Sequence, residues 1–343
     1  MLEKPDIPDA KIIDALCEVY KLNIAEITFL PLGADRNTAV YRADAADGTP
    51  YFVKLRSGDF DEITVAIPKL LHDQSIKQVI APVVTQSGAL WTPLDNFQLT
   101  LFPFVVGRNA YEISLTDDHW IELGQVLKGL HTTALLPEIA ARIPRETYSG
   151  QWRGIVKQFQ AQVEETTFDD PISAALAALL KTQKPTIGRL VQRAQRLGEA
   201  LQNDPPPFVP CHADIHAANL LIEDDGRLHV VDWDTIILAP KERDLMFVAG
   251  GQYGDERTPE QEETLFYEGY GQSEINAVAL AYYRYERIVQ DIAAYCEEIF
   301  LTDAASPDRA VGLRYVSSNF LPGATIDMAY RTELHLPKAL QGL

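Results

Sequence analysis

The chain has 343 residues, 46% of them hydrophobic and 23% charged, a composition typical of a globular protein with a sizeable core. Its formal net charge of −19 disfavours nucleic acid and anionic membrane surfaces as partners and would attract a cationic small molecule. The three cysteines have no disulfide or zinc spacing, and the N-terminal segment lacks the basic and apolar stretches of a signal peptide. We therefore expect a cytoplasmic protein, monomeric or weakly dimeric, without nucleic-acid or membrane partners.

Strand signals dominate the first hundred residues. Alternating and short continuous apolar runs predict strands, and Asp47-Gly48 predicts a tight hairpin turn. Ile63, Ile67 and Leu71 recur at helical spacing and predict a helix. The predicted strands cover 27–32, 38–43, 51–55, 79–84 and 97–104, the helix covers 61–72, and loops are expected at 33–37 and 105–109.

Helical signals dominate the remainder of the chain. Thr116, followed by two acids, is a predicted N-cap, and helices are also predicted over 173–180 and 186–201. The length and the change of pattern together predict an α+β fold with two lobes. The small, β-rich lobe is expected over 1–105, the larger, mostly helical lobe over 106–343, and the hinge near 102–107.

The densest group of polar residues surrounds a predicted hairpin. The apolar runs 220–222 and 228–231 flank an Asp-Gly turn. Because a hairpin brings its ends together, Asn219 is expected beside Asp232, with Asp214 five residues earlier in the same loop. An amide oxygen and a carboxylate suit Mg²⁺, and a further carboxylate can accept the proton of a substrate hydroxyl. The pattern therefore predicts magnesium-dependent phosphoryl transfer.

Other interpretations of these residues stay open. Acids and Asn at hairpin ends commonly serve as caps and turns. His212 and His216 could ligate a metal with the nearby acids, which would favour a metal-dependent hydrolase, although a His beside such a loop is more often a hydrogen-bonding residue. A non-catalytic nucleotide-binding module is a further interpretation, and it predicts ATP binding without turnover.

Two motifs resemble a known family. His212-x-Asp214-x-x-x-x-Asn219, followed by Asp232-Trp233-Asp234, is similar to the catalytic and metal-binding motifs of the aminoglycoside phosphotransferase family, which has a protein kinase-like fold. The resemblance covers most of the chain. It implies a bilobal fold whose first lobe binds the nucleotide and whose second lobe holds the catalytic loop and the acceptor cleft.

The resemblance also implies a role for individual residues. Asp214 matches the catalytic acid, and Asn219 and Asp232 match the ligands of Mg²⁺. Lys54 matches the lysine that grips the phosphates of ATP, with Glu62 as its partner. An edge lysine that guards against aggregation is the alternative for Lys54. The loop from Gly33 to Asn37, which is not a full Gly-x-Gly-x-x-Gly, would cover the phosphates, and the segment containing Phe102, Phe104 and Val105 would meet the adenine.

The acceptor site is the least specified part of the prediction. The helical segment 280–300 carries Tyr283, Glu286 and Asp291, and these side chains, with Asp234, could line a cleft for ammonium groups. A solvated surface helix with charge pairs is the alternative. The resemblance implies O-phosphorylation of a cationic aminocyclitol antibiotic, spectinomycin above all, which would confer resistance. Another small hydroxylated metabolite is the alternative acceptor.

Overall fold

The computed structural model describes residues 4–32, 37–249, 257–302, 306 and 308–341. In chain order, the first elements are α1 Asp9–Tyr20, β1 Ile24–Leu30, β2 Thr38–Ala45, β3 Pro50–Ser57, α2 Ile63–Asp73, β4 Thr92–Leu94, β5 Phe97–Pro103, β6 Gly107–Asn109, α3 Asp117–Thr132 and α4 Pro137–Ala140. They are followed by α5 Gln151–Glu165, α6 Pro171–Thr182, α7 Lys184–Asn203, β7 Val209–Cys211, β8 Leu220–Glu223, β9 Leu228–Val230 and β10 Ile237–Ala239. The remaining helices are α8 Glu242–Leu245, α9 Pro259–Tyr270, α10 Ala277–Leu301, α11 Asp308–Ser318 and α12 Thr325–Thr332.

The chain forms two compact units, each built from separated segments. The sheet unit comprises the described parts of Met1–Ile143 together with Asp214–Ile236. The helical unit comprises Pro144–Ala213 together with the described parts of Ile237–Gln252 and Glu256–Leu343. The division into a nucleotide-binding lobe over 1–105 and a lobe with the acceptor cleft over 106–343 assigns functions to parts of the chain, and it stays a prediction. Within the described residues, every helix is too short or too polar to cross a membrane.

An antiparallel five-stranded sheet, in the order β1-β2-β3-β5-β4, organises the sheet unit. Its core face is apolar and packs against α1, whose Ile12 and Leu16 are fully buried. Because side chains alternate along a strand, Val53 and Leu55 of β3 point into this core while Lys54 points to the other face. β3 has a neighbour on each side, so Lys54 is not an edge lysine.

Several predicted elements are confirmed. The Asp47-Gly48 turn joins β2 to β3, and Gly48 adopts φ 86°, the left-handed conformation that such a turn requires. Thr116 caps α3, since its side chain accepts the backbone N–H of His119. The helix predicted over 61–72 is α2, which continues through Pro68 as far as Asp73.

The segment 79–84 is not the strand that its apolar residues predict. Pro82 has no N–H to donate to a ladder, and within the described residues Val79 makes only an isolated bridge, to Val230 of β9. The predicted loop 105–109 instead contains β6, which pairs with β8. Gly107 permits this pairing, because a Cβ there would lie 2.7 Å from the carbonyl oxygen of Ile222.

The helical unit is organised around α10. This helix of 25 residues packs against α5, α7, α11 and α12 and buries twelve of its side chains. A charged contact ties α6 to α11 in the same unit. Asp170 caps α6 by accepting the backbone N–H of Ser173 at 2.9 Å, and its Oδ2 also accepts a hydrogen bond from the buried guanidinium of Arg309 at 2.5 Å. The hydrogen bonds from Ser173 and Arg309 lower the pKa of Asp170 below its usual range.

Asp170→Ala is expected to lower the free energy of unfolding by about 2–4 kcal/mol, because it removes a helix cap and leaves a buried guanidinium without its carboxylate. The folded pKa of Asp170 is depressed, so its contribution is complete above its unfolded pKa of about 4 and is lost as the pH falls through the folded pKa. Urea unfolding of both proteins at pH 7 and pH 3 should show the difference shrinking at the lower pH. Asp169→Ala, at an exposed neighbouring acid, is the control. A difference that is the same at both pH values would contradict the role assigned to the Asp170 carboxylate.

Candidate active site

The predicted hairpin is present and joins the ends of its two strands as expected. β8 and β9 pair in register, and the backbone N–H of Val231 donates to the carbonyl oxygen of Asn219 at 3.0 Å. Asn219 is buried, and its side-chain Nδ2 donates to the carbonyl oxygen of Asp214 at 2.8 Å. Asp232 follows β9 with φ 63°, a left-handed conformation that Asp tolerates better than most residues. The hairpin therefore holds the segments that carry Asp214, Asn219 and Asp232 together.

A histidine contacts the side chain of Asp214. The Nε2 of His216 lies 3.3 Å from Asp214 Oδ2, and Nδ1 of the same ring accepts the backbone N–H of Ala218 at 3.2 Å. The ring of Tyr111 stacks on the His216 ring with 6.4 Å between centroids and an interplanar angle of 29°. His216 thus makes the hydrogen-bonding contacts of a structural histidine rather than using Nδ1 as a metal ligand.

Two cationic side chains of β3, Lys54 and Arg56, pair with Asp234, which follows the hairpin. Lys54 Nζ lies 2.7 Å from Asp234 Oδ2, and Arg56 Nη1 lies 3.0 Å from the same oxygen. Lys54 Nζ also lies 3.8 Å from Asp232 Oδ1. Lys54 and Arg56 are two residues apart on one strand, so both side chains leave the same face of the sheet. This cluster contains two positive and two negative charges, all at least partly accessible to solvent.

The partner expected for Lys54 differs in the structure. Glu62 lies just before α2 and is 3.4 Å from the guanidinium of Arg142, which also approaches Asp61 at 3.4 Å. The ammonium of Lys54 instead pairs with Asp234 at 2.7 Å. Sequence reasoning chose Glu62 over Asp61 and did not consider Asp234, because nothing local connects β3 to the residues after β9.

The predicted nucleotide-binding segments are described in part. Gly33 lies outside the described residues, whereas the carbonyl oxygen of Asn37 accepts the backbone N–H of Ser57 at 2.8 Å, at one end of the β2–β3 ladder. Phe102 is on β5, with its ring 6.5 Å from that of Phe52. Phe104 and Val105 follow directly, both half-buried, and the Phe104 ring lies under the guanidinium of Arg42 at 4.9 Å.

The predicted acceptor residues on α10 are mostly in the interior of the helical unit. Tyr283 is buried, with only 1% of its surface exposed. Glu286 is also buried and pairs with Arg153 of α5 at 2.5 Å, and burial raises the pKa of its carboxyl although Arg153 opposes the effect. Asp291 is partly exposed and pairs with Arg287 at 3.0 Å. The structure therefore differs from the prediction for Tyr283 and Glu286, because helical spacing alone does not reveal that this helix is surrounded by others.

Within the helical unit, a buried acid holds the backbone of His212 and Ala213. Asp244 accepts the backbone N–H of His212 at 2.9 Å and that of Ala213 at 2.6 Å. Ala213 has φ 69°, which is costly for a residue other than glycine. Two hydrogen bonds to one carboxylate offset this cost and fix the backbone of His212 and Ala213.

The sequence profile of the phosphotransferase enzyme family matches residues 27–282. The chain belongs to this family. It is therefore an enzyme that transfers a phosphoryl group to an alcohol. This assignment favours the phosphotransferase interpretation over a metal-dependent hydrolase or a non-catalytic module.

Solved structures agree with the family assignment. Spectinomycin phosphotransferase in complex with ADP and spectinomycin is 36% identical, with a TM-score of 0.89 over 96% of this chain and 99% of that one. An AMP-bound complex of spectinomycin phosphotransferase is 34% identical, with a TM-score of 0.84 over 95% and 99%. Amicoumacin kinase with AMP-PNP and Ca²⁺, at 15% identity and a TM-score of 0.58, shares the fold. The predicted protein kinase-like fold is confirmed. Among curated protein sequences, none matches this phosphotransferase.

Proposed function

We propose that this phosphotransferase transfers the γ-phosphoryl group of ATP, with Mg²⁺, to a hydroxyl of a cationic aminocyclitol antibiotic, spectinomycin above all, and so confers resistance in the cytoplasm. The observation that carries the proposal is the identity of 36% over nearly the full length of a spectinomycin phosphotransferase that binds ADP and spectinomycin. The net charge of −19 supports it independently, because a strongly acidic protein attracts a cationic acceptor.

Two side chains suit the role of metal ligands. Asn219 uses its Nδ2 as a donor to the carbonyl oxygen of Asp214, so this amide is oriented with its oxygen directed elsewhere. Asp232 has 55% of its side chain exposed at the end of the same hairpin. An amide oxygen and a carboxylate are hard ligands of the kind that Mg²⁺ takes alongside water and phosphate oxygens. Bound there, Mg²⁺ would neutralise charge on the phosphates during transfer.

Lys54 is the group we assign to the phosphates of ATP, and its surroundings support this role. Its ammonium is held by Asp234 and lies near Asp232. A phosphate oxygen can replace a carboxylate oxygen as the partner of an ammonium, because both are anionic acceptors. Arg56, which shares Asp234 Oδ2, adds a second positive charge at the same place. We place Gly33 and Asn37 over the phosphates, and Phe102, Phe104 and Val105 at the adenine, on the resemblance alone.

The proposed reaction is an in-line displacement. The oxygen of the acceptor hydroxyl attacks the γ-phosphorus, the bond from that phosphorus to the bridging oxygen breaks, and ADP leaves. The proton of the hydroxyl passes to the carboxylate of Asp214. The protein's contribution is mainly positioning and charge neutralisation, for which Asp214 and Lys54 are the principal groups.

Incubation of spectinomycin with the protein, ATP and Mg²⁺, followed by mass spectrometry, tests this proposal. The expected result is a mass gain of one phosphoryl group on spectinomycin, with an equal amount of ADP formed. Release of inorganic phosphate without an altered acceptor would instead support the hydrolase interpretation. If spectinomycin is unchanged while small amino alcohols become phosphorylated, the family assignment stands and the proposed acceptor is wrong.

A further inference from the structure

The ring of His216 contacts two residues of its own loop and one residue of a second segment of the sheet unit. Its Nδ1 accepts the backbone N–H of Ala218, its Nε2 lies 3.3 Å from Asp214 Oδ2, and the ring of Tyr111 lies roughly parallel to it with 6.4 Å between centroids. Because Nδ1 acts as an acceptor, a neutral imidazole must carry its proton on Nε2. That nitrogen is the one that lies 3.3 Å from the carboxylate of Asp214.

Tyr111 is itself fixed to the segment that carries Asp214. The preceding residue, Ala110, donates its backbone N–H to the carbonyl oxygens of Ala217 and Leu220 at 3.0 and 3.1 Å. The backbone N–H of Tyr111 donates to Asn109 Oδ1 at 2.9 Å, and Asn109 ends β6, which pairs with β8. These hydrogen bonds hold the backbone of Tyr111 beside the segment that carries His216, although 58% of the surface of Tyr111 is exposed. An aromatic ring beside the imidazole limits the orientations that the imidazole can adopt.

We propose that His216 is a positioning residue for Asp214, and that Tyr111 holds the His216 ring in the orientation that this requires. The inference rests on the proposed catalytic role of Asp214. A carboxylate rotates readily about its bond to Cβ unless one oxygen is held. A carboxylate has about four acceptor positions, so a contact from Nε2 to Oδ2 leaves capacity for the hydroxyl of an acceptor.

If the contact between His216 and Asp214 is lost, the carboxylate of Asp214 is less well aligned with the acceptor hydroxyl. Misplacing a catalytic group by about 1 Å can cost about 100-fold in rate. ATP binding does not involve this contact in the proposed mechanism. The effect should therefore be confined to kcat, and the KM for ATP should change little.

Two substitutions of His216 separate positioning from simple support of the loop. His216→Asn places an amide oxygen where Nδ1 lies, so it retains the hydrogen bond from Ala218 but loses the contact to Asp214. His216→Gln places an amide N–H near the position of Nε2, so it retains the contact to Asp214 but loses the hydrogen bond from Ala218. If the loop needs only the hydrogen bond from Ala218, His216→Asn should have the higher kcat of the two variants. If the carboxylate of Asp214 needs the contact from residue 216, His216→Gln should have the higher kcat.

The experiment measures kcat, both KM values and Tm for these variants, for Tyr111→Leu and for Asp214→Asn, with the acceptor that the wild-type enzyme phosphorylates. We expect His216→Asn to lower kcat about 10- to 100-fold with little change in the KM for ATP, and His216→Gln to restore most of this loss. Tyr111→Leu should lower kcat less, in the same direction. His335→Asn, the same change at an exposed histidine, controls for the substitution itself.

Two results would overturn the inference. If His216→Asn and His216→Gln lower kcat equally, together with a lower Tm, then His216 supports the loop and does not position Asp214. If both retain wild-type kcat while Asp214→Asn does not, positioning by His216 is wrong and the role of Asp214 stands. Retention of kcat by Asp214→Asn itself would contradict the catalytic role proposed for Asp214, on which this inference rests, and would leave the proposed acceptor untouched.

Discussion

Asp214→Asn is expected to lower kcat for phosphoryl transfer by about 10³-fold, the contribution typical of a positioned general base. The substitution preserves the shape of the side chain but removes its ability to take a proton. The proposed mechanism directs Asp214 at the acceptor hydroxyl, and Lys54, Asn219 and Asp232 at the phosphates and the metal. The affinity for ATP should therefore be largely retained.

Calorimetry and steady-state kinetics on the same preparation separate the two quantities. Asp224→Asn is a matched control, because Asp224 is an exposed acid at the turn of the same hairpin and the change removes the same charge. The control should retain both kcat and ATP affinity. Near-normal turnover in Asp214→Asn would exclude this residue as the general base.

Asp232→Asn is expected to weaken binding of Mg·ATP about 10- to 100-fold, because an anionic metal ligand becomes neutral. Asn tolerates the left-handed backbone of Asp232, at φ 63°, so the hairpin should fold normally. A β-branched residue at this position would add backbone strain and confuse the result.

The affinity of Asp232→Asn for ATP should be measured with excess Mg²⁺ and again with excess EDTA. The wild-type protein should lose affinity when the metal is removed, whereas the variant should show little difference between the two conditions. An unchanged affinity for Mg·ATP would remove Asp232 from the metal site. Asp224→Asn is the control here as well, since it removes a charge at the turn of the hairpin and leaves the end that carries Asn219 and Asp232 unchanged.

The parts of the site that could be predicted from the sequence are those set by local rules. The Asp-Gly turn and the apolar runs on either side predict the hairpin, and the hairpin brings Asn219 close to Asp232. Alternation along β3 likewise predicts that Lys54 faces away from Val53 and Leu55. Each of these inferences depends on residues within a few positions of one another.

The contacts that could not be predicted join residues far apart in sequence. Lys54 and Asp234 are 180 residues apart, and no pattern in either segment selects the other. The same holds for Asp170 and Arg309, which are 139 residues apart. Burial is a related problem. The charged, tyrosine-rich helix that carries Glu286 predicts an exposed side chain, but Glu286 is buried and pairs with Arg153 of α5. Arg56 is the residue that sequence reasoning missed, although its position two residues after Lys54 was a usable signal.

The division of the sheet unit between two stretches of chain bears on how the enzyme is made. Lys54 lies in the first stretch, whereas Asp214, Asn219 and Asp232 lie in the second, after the 70 or so residues from Pro144 to Ala213. During synthesis a ribosome releases the chain from its N-terminus, and domains fold as their last segments emerge. The five-stranded sheet can form early, but β8 and β9 can pair with β6 only after α5, α6 and α7 have been made. A nascent chain therefore acquires its full set of proposed catalytic groups only when residue 236 has left the ribosome.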